Sequence, residues 1–409
     1  MPDYELYVGI DWATQHHQVC CVDGRGQRRD ERAVPHSGTG LAALVQHLLS
    51  LVASAPRIAV AIEVPRGTIV DTLLERGCHV VALNPKQLDR FRDRHTVAGA
   101  KDDRRDAFVL ADALRTDQGA FRRLDVEAPG VIQLRELSRL HGELVEEQGR
   151  LTNRLREQLW RFYPQALTLC AAADEPWLWA LLDAAPTPAQ GQRLTRSAVA
   201  ALLARQRIRR FSADDVVNAL RAPAVHVAPG TVQAASEHIG LLLPRLSLVH
   251  EQRRRCEHRL DALLEAAAQG GEDQRVEHRD VTILRSLPGV GRVVAATMLA
   301  EASRPLAVRD YQTLRAHAGV APVTRQSGKA RHVVMRRSCN ARLRTAVFNW
   351  ARNSIRLDPC CRAHYDRLRQ RHGHARALRG VADRLLGVLV AMLTTRTLYD
   401  RQRRVVAAA

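Results

Sequence analysis

The stretch YELYVGIDWATQHHQVCCVDGRG, Tyr4 to Gly26, carries two apolar runs separated by polar residues and closed by a glycine-rich turn. Tyr4–Asp11 reads as a first strand and Gln18–Asp23 as a second, and Gly24–Gly26 turns the chain back as a third. Downstream, Gly40–Leu51 shows a helical pattern, and Arg57–Glu63 (RIAVAIE) is an unbroken apolar run of the buried-strand kind. Thr68–Arg76 is again helical and His79–Leu83 a further strand. Three strands followed by helix and strand in alternation predict a mixed sheet covered by helices.

Beyond that sheet, AKDDRRDAFVLADALRTD (100–117) reads as an amphipathic helix. Asp102 and Asp103 suit a helix N-terminus, where free amides and the positive dipole end attract carboxylates. Asp103 and Asp106 are also three apart, so they share a helix face. Asp11 closes the first strand and Glu63 the buried one; if those strands are parallel neighbours, both acids emerge at one edge of the sheet. Four clustered carboxylates repel unless cations neutralise them, and oxygen-only donors select Mg²⁺, or Mn²⁺ in its place. Two such ions could activate a nucleophile and stabilise the leaving oxygen of a phosphodiester. Singly, each acid reads as a strand end or a cap. Asp112 reads as an acid of the outer helix face.

From Val131 to Phe162 the period changes. Leu134, Leu137, His141, Leu144, Gln148, Leu151 and Leu155 step by three and four, and Leu246, Val249, Arg253, Cys256, Leu260, Leu263 and Ala267 repeat the pattern. The spacing predicts an antiparallel coiled-coil hairpin with an insertion over 164–244 at its tip, a dimerisation device, or two amphipathic helices of a compact bundle. A linker is expected at 270–273, giving three domains: 1–125, 126–272 and 273–409.

The 409 residues hold 62 Lys plus Arg against 43 Asp plus Glu, a net charge of +19 that calls for a polyanionic partner. Only Lys86, Lys101 and Lys329 are lysines, and arginine suits bidentate phosphate contacts. From Lys329 onward 19 cations face four acids, so the excess sits in the last fifth of the chain. The eight cysteines show no CxxC or Cys/His ligand spacing and read as reduced thiols. The apolar run Leu385–Leu393 is too short for a bilayer and no signal peptide is evident, so a soluble intracellular protein without a membrane partner is expected.

Two segments of the basic third stand out. LPGVGRVVAATMLAE (287–301) has the form of a helix-hairpin-helix, in which Gly289 and Gly291 make a tight turn whose amides can bind a DNA phosphate without reading bases. In AGVAPVTRQSGKARHVVMRRSCNARLR (318–344), Ser327 sits in a Gln-Ser-Gly-Lys loop with Arg325, Lys329, Arg331, Arg336 and Arg337 around it as candidate phosphate contacts. No His/Asp triad partner for the serine is evident. From spacing alone Ser327 reads as part of a turn in a basic DNA-binding surface.

The segments VGIDWATQHHQV, AIEVPRG, LNPKQLDRFRDRH, AKDDRRDA, LPGVGRVVAATMLAE and AGVAPVTRQSGKARH fall in the order seen in one family. The chain resembles the DEDD transposases of insertion sequences related to Piv-type DNA invertases, a family of bridge-RNA-guided recombinases. The resemblance covers both ends of the chain and poorly covers 164–244. It implies an N-terminal RuvC-like (RNase H) domain whose acids are Asp11, Glu63, Asp103 and Asp106, a coiled-coil linker, and a helical C-terminal transposase domain with a nucleophilic serine at Ser327. The AKxDxxDA register points to Asp103 rather than Asp102. The resemblance further implies Mg²⁺ at the acidic site, double-stranded donor and target DNA, a noncoding bridge RNA that supplies sequence specificity, and a homo-oligomer, dimer or tetramer, whose protomers can share a composite site. Two other readings stand beside it: a RuvC-like structure-specific nuclease using water, and a non-catalytic DNA-binding protein.

Overall fold

The computed structural model describes residues 4–94, 102–269, 275–328 and 330–401. The expected linker at 270–273 lies outside them. The chain divides into two compact units, Met1–Ala128 and Pro129–Ala409.

The first unit is built on six strands, β1 (Leu6–Asp11), β2 (His16–Asp23), β3 (Arg28–Pro35), β4 (Ile58–Ile62), β5 (His79–Ala82) and β6 (Arg122–Arg123), in the order β3-β2-β1-β4-β5-β6. β1 pairs antiparallel with β2 and parallel with β4; β5 lies parallel to β4 and antiparallel to β6. All of β4 is buried, as its unbroken IAVAI run requires when both faces of a strand are covered. One face is covered by α1 (Gly38–Leu51) and α2 (Thr68–Glu75), whose Leu41, Leu44, Leu48, Ile69 and Leu73 pack on Val8, Ile10, Ile58 and Val60. The other is covered by α3 (Pro85–Arg92) and α4 (Asp103–Thr116), with Leu88, Leu110 and Leu114 against Tyr7, Ala59 and Ala61. The charged β3 (RRDERAVP) forms one edge, where polar side chains blunt further strand pairing.

Among its described residues the second unit is helical apart from one β-hairpin. α5 (Pro129–Phe162) and α11 (Pro229–Gln269) are its long members; between them lie the short α6 (Pro164–Leu169), α7 (Pro176–Ala184), α8 (Pro188–Arg193), α9 (Arg196–Arg205) and α10 (Ala213–Arg221). Cys256 bonds to the Leu137 carbonyl near the start of α5, while Gln165, just past its end, bonds to Ala222 and Pro223 near the start of α11. The two long helices therefore run antiparallel. Their seam buries Leu134, His141, Leu144, Gln148, Leu151 and Leu155 against Leu246, Val249, Cys256 and Leu260. The short helices add Trp177, Leu178, Leu203 and Leu220 to the same core.

There follow α12 (Arg275–Ser286), α13 (Arg292–Glu301), α14 (Ser303–Ala307) and α15 (Tyr311–His317), the hairpin β7 (Val323–Ser327) and β8 (Ala330–Val334), then α16 (Ala341–Leu357), α17 (Pro359–Arg369) and α18 (His374–Thr395). The apolar run 385–393 lies buried in α18, and no described helix is long and apolar enough to cross a membrane. The eight cysteines are free thiols; burial pushes Cys20 and Cys78 up to about 11 and Cys21 up to about 12, which removes them from thiolate chemistry.

Candidate functional site

β1 and β4 are parallel with Ile10 opposite Ile62, so Asp11 and Glu63 stand next in register at the carboxyl end of the two central strands. Gly9 explains how α4 joins them. A Cβ on Gly9 would lie 1.9 Å from the Ala107 carbonyl oxygen and 2.6 Å from the Ala111 nitrogen, so the helix backbone rests directly on β1. Farther along α4, Arg115 lies against Gly26, in the turn beside the amino end of β1. The helix thus runs antiparallel to β1, and its first turn, with Asp103 and Asp106, faces the edge where Asp11 and Glu63 emerge.

The four acids differ in surroundings. Asp11 and Glu63 are half-buried and Asp103 is exposed. Asp106 is 2% exposed, and both its oxygens are taken: Arg92 donates Nε to Oδ1 at 2.8 Å and a terminal nitrogen to Oδ2 at 2.8 Å. Arg92 also reaches Asp89 at 2.7 Å, and its bond to Asp106 raises the pKa of the guanidinium. No three of the four acids present oxygens within 4.8 Å of one another. Their donor chemistry fits a hard divalent cation, and the two guanidinium bonds to Asp106 would compete with ligation there. Asp102 caps α4 by accepting from the Arg104 amide at 3.2 Å. Asp112, expected on the outer face, is instead buried and held by Arg115 at 2.6 Å, because α4 is covered along that side too.

Among the described residues, one group has metal-ligand spacing, and it is not the four acids but Cys170, Asp174 and Glu175. Glu175 accepts from Arg210 at 2.6 Å and Trp177 at 3.1 Å, and burial raises the pKa of the Cys170 thiol. These contacts describe a packed polar node of the insertion.

In the second unit, α12 and α13 are joined by the predicted Pro-Gly-Val-Gly turn. Gly289 has φ +81°, and a Cβ there would meet the Ser354 amide at 2.7 Å. Trp350 Nε1 and Ser354 Oγ both donate to the Pro288 carbonyl, at 3.0 and 2.7 Å. Gly289 therefore faces α16, whereas Gly291 is exposed and caps α13. Glu301, at the other end of α13, joins three elements: it accepts from Arg139 of α5 at 3.0 Å and from Asn340, the cap of α16, at 2.7 Å. Burial works against its ionisation, but the bonds from Arg139 and Asn340 outweigh it and hold the carboxyl below the usual range.

Ser327 ends β7, exposed at the tip of a two-residue hairpin loop. Such a loop needs positive φ at its first residue, which Gly328 supplies at +54°. Arg325, Arg331 and Arg337 are exposed, and Arg336 reaches the Ala321 carbonyl at 3.4 Å. Lys329, like Lys101, lies outside the described residues. From Tyr311 to Leu357 the chain holds ten Lys plus Arg and no acid.

Residues 8–164, which include all four acids, match a transposase domain named for the DEDD group of IS110 elements. Residues 281–366, which include Ser327, match the family described as Transposase IS116/IS110/IS902. Over 97% of its length the chain is 35% identical to a Streptomyces coelicolor protein named as a transposase for the IS117 mini-circle, covering 96% of that protein. The chain belongs to the IS110 family of transposases. An uncharacterized 43.6 kDa protein of insertion element IS110 from Streptomyces coelicolor is 30% identical over 97% of this chain and 96% of its own length. A Sinorhizobium fredii protein named as transposase y4uE is 51% identical over 209 residues, 51% of this chain and 58% of that protein. Membership makes this IS110-family transposase a DNA-processing enzyme.

Arg92 escaped the sequence reading, as did the buried His17, whose ring bonds to that of the exposed His36 at 2.8 Å where β2 begins and β3 ends. Asn84-Pro85 with Gln87 is a capping box opening α3, the one local signal that could have revealed the helix carrying Arg92.

Proposed function

We propose that this transposase cuts and rejoins DNA at the ends of an insertion sequence, with Ser327 as the nucleophile and Asp11, Glu63, Asp103 and Asp106 as a Mg²⁺ site. The observation that carries the reading is the placement of Ser327: an exposed hydroxyl at the tip of a hairpin within 47 residues that hold ten cations and no acid. A bare serine is a weak nucleophile, but on a phosphodiester the surrounding cations can take the nonbridging oxygens. The strand order β3-β2-β1-β4-β5, with acids at the carboxyl edge of the parallel pair, supports a RuvC-like reading of the first unit. Bound there, Mg²⁺ would supply charge neutralisation and hydroxyl activation. Asp11 and Glu63 would hold it from the sheet edge and Asp103 from the helix, and Asp106 would join in competition with Arg92.

Double-stranded donor and target DNA are the substrates of this reading, and a homo-oligomer is its working form. Guidance by a noncoding RNA is part of the same proposal; it fits an arginine-rich surface without a base-reading module such as a zinc finger. Denaturing gels that detect a covalent protein–DNA adduct test the chemistry. Ser327→Ala is expected to abolish adduct and strand exchange together, and Asp11→Ala to abolish both as well. Hydrolytic cutting that survives in Ser327→Ala would replace this reading with a water-using nuclease. Unchanged activity in Asp11→Ala would reduce the acids to caps.

A further inference from the structure

The β7–β8 hairpin has two faces, and its register assigns each residue to one of them. Directly opposed residues share a face, and successive pairs alternate. Ser327 opposes Ala330, Arg325 opposes His332 and Val323 opposes Val334 on one face; Gln326 with Arg331 and Thr324 with Val333 form the other. The face that presents Ser327 therefore also presents Arg325 and His332.

The spacings suit one small anion. Arg325 precedes Ser327 by two residues, about 7 Å along a strand. His332 stands across from Arg325 and diagonal to Ser327, a backbone separation of about 7–8 Å that long side chains close. All three residues are exposed, and outside the backbone ladder of the hairpin none of their side chains has a hydrogen bond or ion pair to a described residue. Nothing acidic between Tyr311 and Leu357 competes for them. Two nitrogen donors facing each other across a ribbon, with a hydroxyl beside them, match the nonbridging oxygens and the phosphorus of a single phosphodiester.

We propose that Arg325 and His332 form a clamp on the DNA phosphate that Ser327 attacks, a proposal that rests on the nucleophilic reading of Ser327. The Oγ–P bond forms as the P–O bond to the leaving strand breaks; the hydroxyl loses its proton to solvent and the leaving oxygen gains one from it. Negative charge grows on the two nonbridging oxygens meanwhile. Arg325 donates to one and His332 to the other, so both act on the transition state more than on bound DNA.

The test uses the full chain and duplex DNA carrying one element end, with adduct formation timed at saturating DNA. Arg325→Ala and His332→Ala are each expected to slow it by about 10²-fold, the usual consequence of losing one such donor. His332→Gln, which keeps an N–H, should recover at least tenfold of that loss. Replacing one nonbridging oxygen of the scissile phosphate with methyl removes the charge that Arg325 neutralises, so on this methylphosphonate the Arg325→Ala deficit should shrink below tenfold. Thr324→Ala, on the other face, should match the unaltered protein. Adduct formation at the full rate in His332→Ala, or an equal Arg325→Ala deficit on both substrates, overturns the clamp while leaving Ser327 in place. Adduct that persists in Ser327→Ala overturns the nucleophile and the clamp together.

Discussion

Arg92→Ala should destabilise the first unit by about 3 kcal/mol, and the loss should be recoverable in two ways. The Asp106 side chain is 3% exposed and that of Arg92 20%. Removing one partner of a buried pair leaves an uncompensated charge and costs about 3–5 kcal/mol. Because a fifth of the Arg92 side chain touches water, the lower end is expected. Adding Asp106→Asn removes the stranded charge, so the double variant should regain about 1–2 kcal/mol. A divalent cation offers a second substitute for the guanidinium. At about a hundred times its dissociation constant it would return roughly 2.7 kcal/mol to Arg92→Ala; the unaltered chain should gain less, since there the ion competes with Arg92. Hydrogen exchange of β1 and α4 amides across a urea series, with and without Mn²⁺, reads each quantity within this unit. Exchange in Arg92→Ala equal to that of the unaltered protein would refute the structural cost. A double variant no firmer than the single one would refute stranded charge as its cause, and equal Mn²⁺ gains in both proteins would refute the competition between Arg92 and the ion.

Gly9→Ala puts a Cβ against helix backbone that cannot rotate aside, so α4 must move; about 3 kcal/mol of destabilisation is expected in urea unfolding, together with lost DNA cleavage while the chain is still folded. His17 is fully buried, and burial first, then the nearby His36 and His16, lower its pKa below 6.5. The unfolded chain therefore takes up a proton as pH falls below about 6.5 and the folded one lags behind, so the first unit should lose up to about 1.4 kcal/mol per pH unit there and nothing above it; His17→Gln should flatten that slope. For Glu301, whose folded carboxyl lies below the ordinary 4.5, stabilisation is complete above that pH and fades as pH falls through the folded value. Glu301→Gln should cost about 2 kcal/mol at neutral pH and make the second unit's thermal midpoint less acid-sensitive.

What was legible in the sequence was whatever periodicity encodes. The unbroken IAVAI run read as a strand of the buried kind, and its parallel pairing with β1, the condition on which the edge reading turned, brings Asp11 and Glu63 to one edge. The seam residues of α5 and α11 were legible for the same reason. Pairings made across the fold were not. Spacing alone puts Asp103 and Asp106 on one helix face, yet Asp103 opens α4 in solvent, whereas Asp106 lies a turn deeper, where Gly9 draws the helix onto β1 and α3 brings Arg92 over it. Asp112 misled for a related reason: a charged residue in a helix looks solvent-facing until a second cation, here Arg115, accompanies it into the packed side. His332 shows the limit from the other direction. It stands five positions after Ser327 in the chain, an offset that carries no meaning by itself. Only the two-residue loop at Gly328 sets the register, and register puts the imidazole on the serine's face; a hairpin longer by one residue would shift that register and turn His332 to the opposite side.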